Sequence, residues 1–247
     1  ADLGLIACPG AEELCKLVDS HLVRWAREVG NTDVDTFIIP SDCPRFQSGD
    51  AKGLVKASTR GDDLYIFVDP GNYSVTYQLF GYENHLSPDD HFQNLMRLIQ
   101  AVAGRAHRIS VIMPSLYGGR QHRRVSRESL DCAFALQQLR DVGVKNIITF
   151  DAHDPRVMNA VPTMSFDNVM PTYQVLKCLL HHVPDVSFHK DNFMIVSPDE
   201  GAMNRNMYYS SVLGCNLGMF YKRRDYSRVV DGRNPIVAHE YLGESVE

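Results

Sequence analysis

The chain has no Gly-x-Gly-x-x-Gly fingerprint, no P-loop and no Cys-x-x-Cys pair in its 247 residues. The first two absences exclude the commonest glycine-rich phosphate cradles. The third speaks against a zinc ribbon or a dithiol redox motif. No apolar run approaches the roughly 18 residues that cross a bilayer as a helix, so no membrane segment is expected. The stretch from Ala1 to Cys8 has no basic n-region and is too short for a secretory h-region, and reads as a first core strand. Charge of one sign is also scarce: the net charge is −5, which gives no electrostatic case for nucleic acid. Cys8, Cys15, Cys43, Cys132, Cys178 and Cys215 are widely spaced, mostly inside apolar stretches, so reduced core thiols in a cytoplasmic protein are expected.

What is present is an ordinary globular composition, 44% hydrophobic and 22% charged, long enough for one large or two modest cores. Strand and helix signals alternate. Leu14, Leu17, Val18, Leu22, Trp25 and Val29 keep helical spacing, closed by Gly30-Asn31. Val34 to Ile39, Leu54 to Lys56, Leu64 to Val68, Ile109 to Met113 and Ile147 to Phe150 are expected strands. Ser87-Pro88-Asp89-Asp90 predicts a helix start: an N-cap serine, proline at the first position, and acids at the positive end of the dipole. Phe92, Leu95, Met96, Ile99 and Val102 form its buried stripe, and Cys132 to Val142 predicts another helix. Pro155, Pro162 and Pro171 then interrupt the pattern, and a junction near Thr163 divides the chain into residues 1–163 and 164–247. The second part repeats the alternation: helix Thr172 to His182, strand Phe193 to Val196, helix Ala202 to Leu213, strand Leu217 to Tyr221. Such repetition implies largely parallel sheets covered by helices, an α/β protein.

Three apolar runs end in ionisable residues, and ligands of open α/β sheets bind beyond the carboxyl ends of strands. Ile147 to Phe150 leads into Asp151-Ala152-His153-Asp154, Phe193 to Val196 into Ser197-Pro198-Asp199-Glu200-Gly201, and Leu217 to Tyr221 into Lys222-Arg223-Arg224. Asp151 and His153, two apart, would share a side and could meet Mg²⁺, or could cap a helix and bond to backbone. The Ser197 to Gly201 segment could hold phosphate on backbone N–H groups, or simply cap the next helix. The loop Tyr117-Gly118-Gly119-Arg120-Gln121-His122-Arg123-Arg124 offers forked guanidinium donors to phosphate oxygens, with a solvated basic loop as the plain alternative. Lys222-Arg223-Arg224 poses the same question, or contacts RNA. His181-His182, at a helix end before Pro184, reads as structural.

Taken together, from about Asn94 to Arg224, the chain resembles the ribose-phosphate diphosphokinases (phosphoribosyl-diphosphate synthetases). The family pattern is an Asn-Leu-Met helix, a Tyr-x-Arg-Gln loop, a strand ending Asp-x-His, a Ser-Pro-Asp loop and a Lys-Arg-Arg segment. Here these are Asn94-Leu95-Met96, Tyr117 through Gln121, Asp151-Ala152-His153, Ser197-Pro198-Asp199 and Lys222-Arg223-Arg224. Upstream, Arg45-Phe46-Gln47-Ser48-Gly49-Asp50 is similar to the family's Arg-Phe-x-Asp-Gly-Glu adenine loop. The resemblance implies two phosphoribosyltransferase-like domains, an ATP side and a ribose-phosphate side. It implies transfer of diphosphate from MgATP to O1 of ribose 5-phosphate. Arg120 and Gln121 would hold ATP, with Phe46, Ser48 and Asp50 reaching in from a neighbouring subunit of a homo-oligomer, a hexamer in the family. His153 would contact the Mg²⁺-bound ATP, Asp199 the metal or the ribose side, and Lys222 and Arg224 would stabilise the developing charge.

The chain departs from that pattern at several points. Ser48 and Asp50 stand where Asp and Glu are usual, His122 replaces an acid, and Glu200, Ala202 and Tyr221 are atypical. Residues 225–247 carry no counterpart of the family's acidic, Gly- and Thr-rich ribose-phosphate loop, so the second domain is expected to be incomplete within these 247 residues. A catalytically silent relative that assembles with active synthetases is the alternative reading. A metal-dependent phosphohydrolase using His153-Asp154 as a ligand pair is a third, which would need further His or Asp ligands on helices.

Overall fold

Apolar runs without polar alternation are suited to strands covered on both faces, and here they line up as the centre of a parallel sheet. The computed structural model describes residues 2–230 and 234–244. In chain order the elements are β1 (Leu3–Ala7), α1 (Glu12–Glu28), β2 (Ser41–Asp42), β3 (Leu54–Val55), β4 (Asp63–Phe67), β5 (Thr76–Leu79), β6 (Tyr82–His85), α2 (Pro88–Val102), β7 (Arg108–Ile112), α3 (Asp131–Asp141), β8 (Asn146–Phe150), β9 (Ser165–Val169), α4 (Thr172–His182), β10 (Met194–Ser197), α5 (Met203–Leu213), β11 (Asn216–Arg224) and β12 (Ile236–Leu242).

The chain divides into two compact units, Ala1–Met170 and Pro171–Glu247. In the first, β1-β4-β7-β8-β9 form a five-stranded sheet in which every pairing is parallel. Ile6, Leu64, Ile66, Val111 and Ile147 are fully buried and pack with Leu95, Leu98 and Ile99 of α2 and Leu136 and Leu139 of α3. Each such side chain removed from water contributes about 1.5–3 kcal/mol. Leu5 and Phe67 point to the other side and pack with Cys15 and the stripe of α1. The expected junction near Thr163 lies inside this unit, just ahead of β9, which pairs with β8 along its whole length.

In the second unit β10 and β11 are parallel, and β12 returns antiparallel to β11. The Lys222-Arg223-Arg224 segment therefore does not follow a strand, as expected, but forms its last three residues, paired to His239, Ala238 and Ile236. The expected strand at Val34 to Ile39 is an extended segment along β1 with a single parallel bridge, Leu5 to Ile38. No helix among the described residues is long and apolar enough to cross a membrane.

Candidate active site

The first turn of α2 organises two loops of the first unit. Ser87 caps it reciprocally: its hydroxyl accepts from Asp90 N at 3.2 Å, and Asp90 Oδ2 accepts from Ser87 N at 2.9 Å. The remaining carboxylate oxygens reach outward. Asp90 Oδ1 lies 3.5 Å from Arg45 Nη1, and Asp89 Oδ1 accepts from the Tyr117 hydroxyl at 2.6 Å. Tyr117 stacks on Phe92 of the same helix, ring centroids 4.5 Å apart. Donating to a carboxylate holds the phenol's own proton in place, so its pKa is pushed up to about 12.

Arg45 begins the turn that carries Phe46, Ser48 and Asp50. Its guanidinium donates to Gly49 O at 3.0 Å and covers the ring of Tyr77 at 4.4 Å. The turn closes on itself through Phe46 N to Asp50 O (2.8 Å), and Ser48 Oγ donates to Asp50 Oδ2 (2.8 Å). Phe46 is left 51% exposed, presented rather than packed. The β5–β6 hairpin backs this turn: Phe80 N donates to Gln47 O at 3.0 Å. Sequence reasoning missed the hairpin because its tip is Phe80-Gly81, with Phe80 at φ 47°, where Asn-Gly is the readable signal.

After β7 the chain runs through Tyr117 and Gly118 (φ 65°) into the arginine loop. Arg120 and Gln121 are exposed, as are residues 123–129; His122 between them is largely covered. After β8, Asp151 adopts φ 45°, so strand alternation stops at Phe150 and does not carry through to His153. His153 is exposed, and its ring lies 5.1 Å from that of His122. Asp154, caught between His122 Nε2 (3.5 Å) and Arg156 Nη2 (2.5 Å), also accepts Arg156 N at 3.0 Å. The Arg156 guanidinium and then the backbone N–H hold its carboxyl well below the usual carboxylate range. A carboxylate so occupied is poorly suited to be the metal partner of His153 that a phosphohydrolase needs.

In the second unit, β10 ends at Ser197, whose buried hydroxyl donates to Asp199 O at 2.7 Å. Asp199 Oδ1 accepts Ala202 N (3.1 Å) and so caps the turn into α5, while Lys222 Nζ donates to Asp199 Oδ2 at 2.7 Å. The Lys222 ammonium holds the Asp199 carboxyl below its ordinary range. Lys222 and Arg224 are two apart in β11, whose pairing with β12 shifts register between Arg223 and Arg224; Arg224 Nη1 donates to Asn234 O at 3.2 Å. Arg223 lies 3.4 Å from Glu240. The structure thus joins Asp199 to Lys222. Phe46, Ser48, Asp50, Arg120, Gln121 and His153 all belong to the first unit.

No group of three or more His, Cys, Asp or Glu side chains placed to hold a metal occurs among the described residues. The cysteines are free, and burial pushes the Cys15 thiol up to about 12 and those of Cys43 and Cys132 to about 11, so these are packing groups rather than nucleophiles.

Residues 3–143 match the family profile described as the N-terminal domain of ribose phosphate pyrophosphokinase. Ribose-phosphate pyrophosphokinase A of Dictyostelium discoideum is 24% identical over 190 residues, covering 76% of this chain and 54% of that protein. Ribose-phosphate pyrophosphokinase of Staphylococcus aureus is 24% identical over 192 residues, covering 77% and 54%. The chain thus spans about half the length of these curated relatives. Among solved structures, the phosphoribosylpyrophosphate synthetase of Mycobacterium smegmatis superposes with a TM-score of 0.73 at 19% identity, covering 98% of this chain and 67% of that one. That likeness is one of fold.

Proposed function

This chain belongs to the ribose phosphate pyrophosphokinase family, and from that premise we propose that it transfers the diphosphoryl group of MgATP to O1 of ribose 5-phosphate. The O1 hydroxyl attacks the β-phosphorus of ATP, gives up its proton, and AMP leaves. Little covalent chemistry falls to the protein; positioning and placed cations carry the rate. Arg120 and Gln121, exposed on their loop, hold the phosphates, and the Phe46 turn with Ser48 and Asp50 reads the adenine of a neighbouring protomer in a cytoplasmic homo-oligomer. Lys222 and Arg224 meet the charge that develops as the diphosphoryl group moves.

Mg²⁺ takes one or two protein ligands when phosphates and water complete its octahedron. The donors present suit a cation that arrives on phosphate oxygens: His153 is open to solvent, whereas Asp199 is already held by Lys222. When bound, the ion neutralises phosphate charge.

The observation that carries the reading is the Asp199–Lys222 pair beside the carboxyl end of β10, in a member of this family. An ammonium fixed by a carboxylate is poised for an anion at the place where open α/β sheets bind ligands. The test is AMP formation from ATP by the protein in its full natural length, with and without ribose 5-phosphate and Mg²⁺. AMP that appears only with both supports the reading; none under any condition leaves the regulatory alternative.

A further inference from the structure

The loop after β7 is exposed at Arg120 and Gln121 and again from residue 123 to 129, with one covered residue between. That residue, His122, keeps 15% of its side-chain surface, and its Nε2 faces Asp154 Oδ2 at 3.5 Å. Asp154 is an unusually fixed target. Arg156 Nε contacts both its oxygens (2.9 and 3.1 Å), Arg156 Nη2 donates at 2.5 Å, and Arg156 N at 3.0 Å. It is 12% exposed and starts the short helical turn Pro155–Ala160. A carboxylate only accepts, so the ring meets it with its Nε2 proton. The same imidazole lies 5.1 Å from that of His153, tilted by 59°.

We infer that His122 is a positioning residue: it docks the Arg120–Gln121 loop on the Asp154–Arg156 clamp and so sets those two side chains beside His153. The inference deepens the proposed function, resting on it for what Arg120 and Gln121 hold. The docking itself stands on geometry alone. A loop with Arg120, Gln121 and residues 123–129 open to solvent would otherwise sample many conformations, and ordering it on substrate would weaken binding. One buried contact removes part of that cost in advance. His122 stands where the family pattern has an acid, and an acid there would face Asp154 with like charge; the imidazole is the side chain that fits this carboxylate.

Arg123 and Arg124 sit one and two residues beyond the anchor, which supplies a readout that needs no substrate. Limited trypsin digestion of the ligand-free protein should cut this loop several-fold faster in His122→Ala than in wild type, because cleavage follows the open population and the 3.5 Å contact to a charged group has been lost. Asp154→Asn should act in the same direction, and the double variant should cut no faster than the faster single. His122→Gln, whose amide can still donate to Asp154, should restore most of the protection. In the full-length protein, His122→Ala should raise the KM for MgATP several-fold with kcat little changed. Unchanged loop cleavage in His122→Ala, additive effects in the double variant, or equal acceleration at sites outside the loop would each overturn the docking role. If docking holds while MgATP fails to bind, the proposed function falls and the anchor stands.

Discussion

Lys222 reaches back from β11 to the carboxylate of Asp199, Nζ to Oδ2 at 2.7 Å, across two parallel neighbours. Ser197 pairs in register with Met219, so Lys222 lies three positions further along, and its flexible stem spans the offset. The two side chains keep 31% and 37% of their surface. Pairs this open contribute little to stability. What the pairing does is hold a cation at a defined place.

Asp199 should report that pairing directly. Its carboxyl is depressed chiefly by the Lys222 hydrogen bond. A depressed acid contributes stability above its unfolded value, about 3.9, and loses that contribution as pH falls through the folded value. Carbon-detected NMR titration should show Asp199 below the usual range in wild type and moving up in Lys222→Ala. No upward movement would mean that the pair does not form in solution.

Tyr117 titrates in the opposite sense. Its folded pKa is raised to about 12, so the Asp89 bond stabilises the protein below pH ~10 and the contribution fades as pH rises through the folded value. Ultraviolet titration of Asp89→Asn should find the phenol ionising closer to pH 10. An unshifted titration would detach the loop from α2.

Gly53 meets the backbone of α2. A Cβ there would stand 2.6 Å from Arg97 O and 3.0 Å from Leu98 N, neither of which can move alone. Gly53→Ala should therefore cost about 1–3 kcal/mol by denaturant unfolding. A cost within experimental error would mean that this segment is not seated on the helix.

Phe80 makes the reverse case. It holds φ 47° at a hairpin tip with 72% of its surface exposed. Asparagine tolerates that conformation and suits a tip followed by glycine, so Phe80→Asn should stabilise the first unit by roughly 0.5–1 kcal/mol. Destabilisation would reveal packing by the ring.

Much of the sheet was legible because its signals are local. α4 begins and ends where the periodicity places it, and the Ser87 cap of α2 forms as its residues demand. β9 was not, since Ser165-Phe166-Asp167-Asn168-Val169 is an edge strand with polar positions between proline interruptions. β12 escaped as well, and with it the fact that Lys222 and Arg224 lie within a strand: antiparallel pairing carries β11 through residues that look like a loop. Candidate site residues could be proposed from motif order, but their contacts could not. Asp199 to Lys222 spans 23 positions, and His122 to Asp154 links two loops that no periodicity connects.

The central claim, diphosphoryl transfer assisted by Lys222, is tested most directly by AMP release in the full-length protein and in Lys222→Ala, with ATP, Mg²⁺ and ribose 5-phosphate present and MgATP affinity measured alongside. The account predicts ribose-5-phosphate-dependent AMP formation that falls by about 10²–10³-fold in the variant with MgATP affinity nearly unchanged, because the ammonium matters most as charge develops. Equal turnover in the two proteins, or a loss explained wholly by weaker MgATP binding, would contradict it.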